Sequence, residues 1–374
     1  MRIMRLDDAA VGQRLIFDLV DQGGRVLLRA GAELTPRYVE LLRRRGYLSV
    51  PVHDPLARDV EPTEPLTREL RQRVTEVTQE AVRRAAQGSL AVTPALRAVV
   101  GEIVGALQRT PMLTYNLLSL HSLDTHFFVH SVNVCVYSVL VAGALALDPV
   151  DLRHLGVGAI LHDIGMVFYR DLVEKPGQLT PEEMEKIRHH TDEGFELLRR
   201  QTEVDLRSAH VAYQHHERLD GSGYPRGLAG DRIAPWAKVV AIAEVFDSVT
   251  SSRTYAPTLS VAEALDLLEA EASAGRLDAY LVRYFVQRMS RYPAGTIVRL
   301  GDGAVGLVVQ ADVPGLSPAR VRVVSADGAR LLPTPYHLDA DGREPGTTVA
   351  ASLPDYPEPL LGEVVRLSRA DREG

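Results

Sequence analysis

The sequence predicts a mainly α protein, with a large all-helical domain between a small N-terminal α+β module and a small C-terminal β module. From residue 67 to residue 292 nearly every segment has the apolar spacing of a helix, and strand signals are few. After Pro293 the pattern changes to the alternation typical of strands, with turn sequences at Gly301–Gly303 and Asp327–Gly328. A chain of 374 residues is long enough for two or three domains.

The N-terminal module is predicted to comprise residues 1–54, followed by a proline-containing linker at 55–66. Turn residues, a Thr-Pro helix start and period-two alternation indicate its elements: a hairpin of Arg14–Leu19 and Arg25–Leu28, a helix from Thr35 to about Arg45, and a strand at Tyr47–Val52. Residues 67–292 are expected to form the helical domain, and residues 293–374 the β module with a loose tail.

The composition limits the partners. A net charge of −7 argues against broad binding to DNA or to an anionic membrane, because both need clustered Lys and Arg, but it allows a small phosphate-bearing ligand. With one cysteine, Cys135, no intrachain disulfide can form, and a cytoplasmic location is expected. The N-terminus lacks the apolar stretch of a signal peptide, and the apolar run Val134–Leu147 is too short to span a bilayer, which favours a core helix.

Most of the 12 histidines fall between residues 121 and 216, and this crowding in one helical domain suggests a metal site. His126 and His130 share one helix face, either as structural residues or as ligands. His162 and Asp163 follow an apolar helix, where burial of both without partners is costly. A metal would supply that partner, and a hydrogen bond between them at the helix end is the alternative.

The next predicted helix begins at a capping box, Thr180–Glu183, and contains two adjacent histidines. Helical periodicity places His189 on the solvated face, so His190 is the ligand candidate. The inward face is expected to consist of His190 together with Met184, Ile187, Gly194 and Leu197.

Two further features point to metal binding. His215 and His216 are adjacent, so on a helix they point about 100° apart and could bind two neighbouring metals. The glycine-rich loop Asp220–Pro225 follows and could let backbone amides approach a ligand. Glu244 and Asp247 lie in an apolar helix, where metal ligation of the first and a hydrogen bond to the second would compensate burial. A helix edge facing solvent is the alternative for Glu244.

Taken in order, these residues resemble the HD-GYP family of bacterial cyclic di-GMP phosphodiesterases. The resemblance covers roughly residues 120–290, and includes the stretches Lys175–Thr180 and His216–Pro225. It implies a helical HD-type phosphohydrolase domain that holds two, sometimes three, iron or manganese ions. The family's metal-ligand positions correspond here to His130, His162, Asp163, His190, His215, His216 and Glu244.

The resemblance also implies individual roles. Asp163 would bridge two metals, and His162 and Asp163 would form the catalytic pair. His126 occupies the position at which some members ligate a third metal. Candidate substrate contacts are Gly223, Tyr224 and Arg253.

Three positions depart from the family pattern. Met166 stands where the HD-x-G-K motif has lysine, and Ala256 stands where an arginine is common, so two cations that would contact phosphate are missing. Glu244 replaces the usual aspartate and is one methylene longer, which leaves ligation possible with altered geometry.

Three hypotheses for function follow. The first is an active cyclic di-GMP phosphodiesterase that yields linear pGpG or GMP. The second is a regulator that binds a nucleotide or a signalling protein without turnover, which Met166 and Ala256 favour and the intact ligand set opposes. The third is a phosphohydrolase that acts on another nucleotide.

A homodimer is a separate hypothesis. A helix expected at 67–109 carries an apolar stripe that could pair with its symmetry mate, although packing within the chain is at least as good an explanation. The stripe consists of Val74, Val77, Ala81, Val82 and Ala85.

Overall fold

The structure is a computed structural model of the chain. It describes residues 2–6, 10–16, 19–20, 26–44, 47, 49–60, 66–89, 92–109, 123–173, 175, 179–251 and 259–370.

The N-terminal module contains two small antiparallel sheets and one helix. Its elements are β1 (Arg2–Arg5), β2 (Leu19–Val20), β3 (Val26–Leu28), α1 (Pro36–Arg44) and β4 (Ser49–Val52). As predicted, β2 and β3 form a hairpin, and the Thr35 hydroxyl accepts a hydrogen bond from Tyr38 N at the start of α1. The strand β1, which pairs with β4, is not predicted by the sequence pattern. Arg14 and Leu15, predicted to be part of the hairpin, instead bridge to Glu33 and Val52.

The central part of the chain is helical, as the sequence predicts. Its helices are α2 (Arg68–Ala86), α3 (Pro94–Arg109), α4 (Leu123–Val141), α5 (Pro149–Ile160), α6 (Arg170–Val173), α7 (Pro181–Arg188), α8 (His190–Arg199), α9 (Leu206–Gln214), α10 (Pro235–Thr250), α11 (Val261–Ser273) and α12 (Ala279–Val286). A 3₁₀ turn, Ile164–Tyr169, connects α5 to α6.

Helix α4 is the centre of the helical core and contacts α2, α3, α5, α10 and α12. By length and composition alone the segment Phe128–Leu145, which runs from α4 into the following 3₁₀ turn, could cross a membrane, but 78% of it is buried inside the protein. Cys135 is fully buried there, and its thiol lies 3.5 Å from the carbonyl oxygen of Gly156. The segment is therefore a core helix, as the sequence analysis expects.

The stripe that suggested a homodimer is used within the chain. The region expected to be one helix at 67–109 is two helices, α2 and α3, which pack against each other. Val74, Ala81 and Ala85 are buried in the helical core, and Val77 and Val82 pack against it partly buried. Intramolecular packing therefore accounts for the stripe, and homodimerisation stays a prediction without this support.

The predicted helix that starts at Thr180 is interrupted at His189. The capping box is present, with the Thr180 hydroxyl accepting from Glu183 N and the Glu183 carboxylate accepting from Thr180 N. Because α7 ends at Arg188 and α8 begins at His190, the two do not share one continuous face. Met184, expected to face inward with His190, is therefore exposed.

The C-terminal module contains five strands followed by a helix: β5 (Ile297–Leu300), β6 (Val305–Gln310), β7 (Ala319–Ser325), β8 (Tyr336–Ala340), β9 (Val349–Leu353) and α13 (Glu358–Ala370). The strands form one antiparallel sheet in the order β8-β7-β6-β5-β9. Gly303 and Gly328 have positive φ angles at the predicted turns.

Two segments differ from the sequence expectation for the flanking regions. Helix α13 lies where a loose tail is expected, because Leu360 and Val364 are buried against one face of the sheet. The first half of the expected linker is also packed: Ala57 and Val60 join the same cluster. The Arg322 guanidinium pairs with Asp59 and donates to the Leu56 carbonyl, which fixes this segment to β7. The proposed boundaries of the modules stay predictions.

The 3₁₀ turn after Asp163 lies directly against the start of α8. Gly165 makes this close approach possible, because a Cβ atom there would overlap the carbonyl oxygen of His190 and would lie 2.7 Å from Gly194 N. The contact joins two segments that both carry predicted metal ligands, so the absence of a side chain at Gly165 helps to set their spacing.

Replacement of Gly165 by alanine is expected to separate the turn from α8 and to lower the free energy of unfolding by about 1–3 kcal/mol through overpacking. Thermal unfolding followed by circular dichroism measures this. Gly105→Ala in α3 is the matched control: the nearest atom to an added Cβ is 3.7 Å away on the flexible Arg109 side chain, so no loss is expected. A G165A melting temperature at or above that of the parent would contradict the packing argument.

Candidate metal centre

Five segments of the helical domain bring the predicted ligands together. His130 lies on α4, His162 and Asp163 follow α5, and His190 is the first residue of α8. The remaining ligands follow α9 or lie on α10: His215, His216 and Glu244. All of these side chains are buried except His216, which is half-buried.

The carboxylate of Asp163 lies between two groups of ligands. Its Oδ1 is 3.2 Å from His190 Nε2 and 3.4 Å from His215 Nε2. Its Oδ2 is 3.4 Å from His162 Nε2 and 3.9 Å from His130 Nε2. One carboxylate thus presents a different oxygen to each group, which is the arrangement of a ligand shared by two metals.

The remaining ligands divide in the same way. Glu244 belongs to the group of His130 and His162, with its Oε2 at 2.8 Å and 3.3 Å from their Nε2 atoms. His216 belongs to the other group, since Asp163, His190, His215 and His216 can each place one ligand atom within 4.8 Å of all the others. The longer side chain at position 244 therefore reaches the cluster.

Hydrogen bonds fix the ring orientation of four histidines. The Nδ1 atoms of His162 and His190 each lie 2.7 Å from the carbonyl oxygen three residues earlier. His215 Nδ1 lies 3.1 Å from the carbonyl oxygens of Val211 and Ala212, four and three residues earlier. His130 Nδ1 is 2.7 Å from Asp247 Oδ2. With Nδ1 acting as donor, each Nε2 is free to present a lone pair to a metal.

The charge state of the cluster reflects its carboxylates. Burial disfavours the charged form of His130, yet Glu244 and Asp247 raise its pKa well above the ordinary value. Burial also opposes ionisation of Asp163, but the neighbouring His162 and the other histidines hold its pKa well below the usual range. The cluster therefore favours positive charge beside ionised carboxylates, which is the condition that a bound cation would satisfy.

A divalent metal ion fits these residues. In the part of the chain that the structure describes, three buried acceptor atoms at the cluster have no hydrogen-bond donor while the histidines carry their protons on Nδ1, because the nearby Nε2 atoms are then acceptors too: His162 Nε2, Asp163 Oδ1 and Glu244 Oε2. Leaving such atoms buried and unsatisfied is costly. Imidazole nitrogens and carboxylate oxygens are common first-row metal ligands, so coordination would satisfy all three.

The loop after His216 is held by a buried carboxylate. Glu217 accepts hydrogen bonds from the backbone amides of Arg226 and Leu228, both at 2.9 Å. Gly223 has no room for a side chain, because a Cβ would overlap the backbone of residues 216–218. Tyr224 consequently stacks on His216, with ring centroids 4.5 Å apart and planes 22° apart. The two predicted substrate contacts in this loop thus border the cluster.

Five other residues were singled out by the sequence, and the structure describes the side chains of two of them. His189 is exposed, as expected, and the half-buried Met166 lies on the 3₁₀ turn just after Asp163. His126 lies on α4, but its side chain is outside the described residues. Arg253 and Ala256 are also outside them. The roles given to His126 and Arg253 therefore stay predictions.

The sequence analysis missed three supporting residues. Asn133 donates to Asp247 Oδ1 at 2.9 Å and so holds the carboxylate that orients His130. Its position one helical turn after His130 is the signal that could have identified it. Glu217 and Arg218 follow the paired histidines directly, and the Arg218 guanidinium donates to the carbonyls of His215 and Glu217. Polar residues next to predicted metal ligands in the sequence are therefore candidates for hydrogen bonds that hold those ligands in place.

Asp247→Asn is expected to weaken metal binding by about 10- to 100-fold, the usual effect of losing a carboxylate that orients a ligand histidine. The amide can present its NH₂ group to His130 Nδ1, which would move the ring proton to Nε2 and remove the lone pair. Titration of metal-free protein with Mn(II) measures the change. Asp266→Asn, which alters an exposed pair with Arg291, is the control and should leave affinity unchanged. Equal affinity of D247N and the parent would contradict the orienting role.

Comparisons with known proteins agree with this geometry. Residues 114–281 match the family model described as HD domain. The chain is 34% identical over 246 residues to a cyclic di-GMP phosphodiesterase of Pseudomonas aeruginosa, covering 66% of this chain and 59% of that protein. It is 42% identical over 140 residues to a cyclic di-GMP phosphodiesterase response regulator of Xanthomonas campestris, covering 37% of this chain and 36% of that protein.

A 3'3'-cGAMP-specific phosphodiesterase of Vibrio cholerae is 35% identical over 185 residues, covering 48% of this chain and 42% of that protein. The chain thus spans less than two thirds of the length of each of these relatives. The matched region contains every predicted ligand, in the predicted order. Residues 114–281 of the chain are thus an HD domain, and its ligand set and Gly-Tyr-Pro loop are of the HD-GYP type.

Proposed function

We propose that the helical domain hydrolyses the phosphodiester bonds of cyclic di-GMP to linear pGpG, GMP or both, with two bound divalent metals. The observation that carries the proposal is the position of Asp163, whose two oxygens face two separate groups of histidines. Relatives named as cyclic di-GMP phosphodiesterases support the choice of substrate. His162 and Asp163 are the central pair of this proposed site.

The proposed chemistry needs little from the protein beyond positioning. Two divalent cations would supply a nucleophilic water at neutral pH and would neutralise charge on the attacked phosphoryl group. As metal ligands the histidines would be neutral imidazoles, so the positive charge of the bound cations would be retained for an anionic substrate. Burial and the preceding His215 keep the pKa of His216 well below its ordinary value, which favours the neutral ligand form.

Iron or manganese is the proposed metal, because mixed histidine and carboxylate ligation suits both. Two sites follow from the two groups of ligands, each of which includes Asp163. We also propose that His126 is the additional ligand if a third metal binds. The cytoplasmic location and partner signalling proteins also stay predictions.

A catalytically weakened regulator is the second candidate. The observation that favours it is Met166, half-buried on the turn after Asp163, where a thioether can neither carry charge nor donate a proton. Loss of one charge-assisted phosphate contact typically costs about 1.5–3 kcal/mol. The complete ligand set around Asp163 favours the enzyme, since a regulator that only binds nucleotide does not require two metal sites.

The purified chain, reloaded anaerobically with Fe(II) or Mn(II), is expected to convert cyclic di-GMP into pGpG or GMP. Chromatography of the products checks this. A variant with His162→Ala and Asp163→Ala should release no product, because it lacks the shared carboxylate and one histidine. Metal-loaded protein that forms no product, beside an active reference enzyme in the same buffer, would reject hydrolysis of cyclic di-GMP and favour the regulator or another nucleotide such as 3'3'-cGAMP.

Met166→Lys is expected to raise kcat/KM for cyclic di-GMP by about tenfold or more, because it adds a cation beside the attacked phosphate. Steady-state kinetics of the metal-loaded variant measures the gain. Met166→Leu keeps an apolar side chain of similar size and should match the parent. If lysine and leucine variants have equal kcat/KM, a missing cation at this position does not limit turnover.

A further inference from the structure

A stack of three side chains leads from the cluster of candidate metal ligands to the surface. The Tyr224 ring packs on the ring of His216, with centroids 4.5 Å apart, and the guanidinium carbon of Arg188 lies 5.1 Å from the Tyr224 centroid. Arg188 is the last residue of α7, two residues before the ligand His190. A cation therefore lies one aromatic ring away from a metal ligand.

This geometry changes what Tyr224 can do. One side of its ring is stacked on His216, and the guanidinium of Arg188 lies over the ring as well. A nucleobase would have to displace one of them to stack on Tyr224. The group at the end of the stack that is available to a ligand is Arg188, whose side chain is 48% exposed.

Burial and the carboxylates of Asp163 and Glu244 raise the pKa of Tyr224, and the positive charges of Arg188 and Arg218 oppose that rise. Arg218 is directed to the main chain, where it donates to the carbonyls of His215 and Glu217. Among the residues that the structure describes, the Arg188 guanidinium donates one hydrogen bond, at 3.0 Å, to the exposed carboxylate of Glu185. An exposed pair of this kind is weak and can be exchanged for a phosphate.

We propose that Arg188 binds the second phosphate of the cyclic dinucleotide, the one that is not attacked at the metal cluster. The inference rests on the proposed function. A cyclic dinucleotide has two phosphates, and the metals neutralise one of them. The turn after Asp163 has the uncharged Met166 where lysine is usual, whereas Arg188 offers a planar guanidinium that can bind phosphate with two N–H groups. Stacking on Tyr224 limits the rotamers of Arg188 and so prepares it for this contact.

Arg199 provides a matched control on the neighbouring helix α8. Its side chain is 46% exposed, it pairs with a glutamate three residues earlier, and its guanidinium lies 5.8 Å from the centroid of Phe195. Phe195, however, stacks on Tyr213 and not on a metal ligand. Arg199→Ala therefore removes the same kind of ion pair and cation–π contact without touching the proposed phosphate site.

The test compares two substrates in the metal-loaded full chain: cyclic di-GMP, with two phosphates, and bis(4-nitrophenyl) phosphate, with one. Arg188→Ala is expected to raise KM for cyclic di-GMP about tenfold with little change in kcat, as for loss of one charge-assisted contact at a partly exposed position. KM for the single-phosphate diester should stay unchanged. Arg188→Lys, which keeps the charge, should restore part of the loss. Arg199→Ala should behave like the parent.

Calorimetry provides a readout that does not depend on turnover. Binding of cyclic di-GMP to chelator-treated full chain should weaken about tenfold in R188A and should be unchanged in R199A. Equal behaviour of R188A and R199A would overturn the inference while leaving the proposed hydrolase intact. Equal loss with both substrates would overturn it too, because Arg188 would then act through the position of His216. A parent chain that neither binds nor cleaves cyclic di-GMP overturns both proposals.

Discussion

The structure of the helical domain depends on one buried carboxylate, that of Asp163. An ionised carboxylate in a protein interior is stable only where nearby groups compensate the loss of water. Here the compensation comes from histidines on separate segments, two of them facing each oxygen. That requirement accounts for the convergence of α4, α5, α8 and α9 on Asp163, and for the close contact that Gly165 allows between the turn after Asp163 and α8.

Three of the ligands lie where helices end, and the hydrogen bonds that orient their rings also satisfy carbonyls at the helix ends. The last carbonyls of a helix lack intrahelical partners. His162, His190 and His215 follow the ends of α5, α7 and α9, and their Nδ1 atoms reach carbonyls in those final turns. Ring orientation and helix termination are thus coupled. His130 lies inside a helix and uses the Asp247 carboxylate, itself held by Asn133, for the same purpose.

The loop after the paired histidines connects the cluster of candidate metal ligands to the exposed Arg188. Glu217 binds two of its amides, and Gly223 lets the loop fold back on the backbone of residues 216–218. Tyr224 is thereby stacked on His216 and beneath Arg188. The Arg188 guanidinium is positioned by this loop and not by the residue after the HD-x-G sequence. Phosphate binding is therefore compatible with Met166 in place of the usual lysine.

The sequence by itself determined the helical character of the domain, the order of the ligands and the exposure of His189, because these follow from local periodicity and residue type. Periodicity did not find the break between α7 and α8 at His189, and it therefore placed Met184 on the inward face although that side chain is exposed. Tertiary structure alone decided which oxygen of Asp163 faces which histidines, which acid orients His130, and that α13 and residues 54–60 pack against the sheet. Each of these depends on segments far apart in the chain, and the energy of a buried contact is fixed by partners that no local pattern specifies.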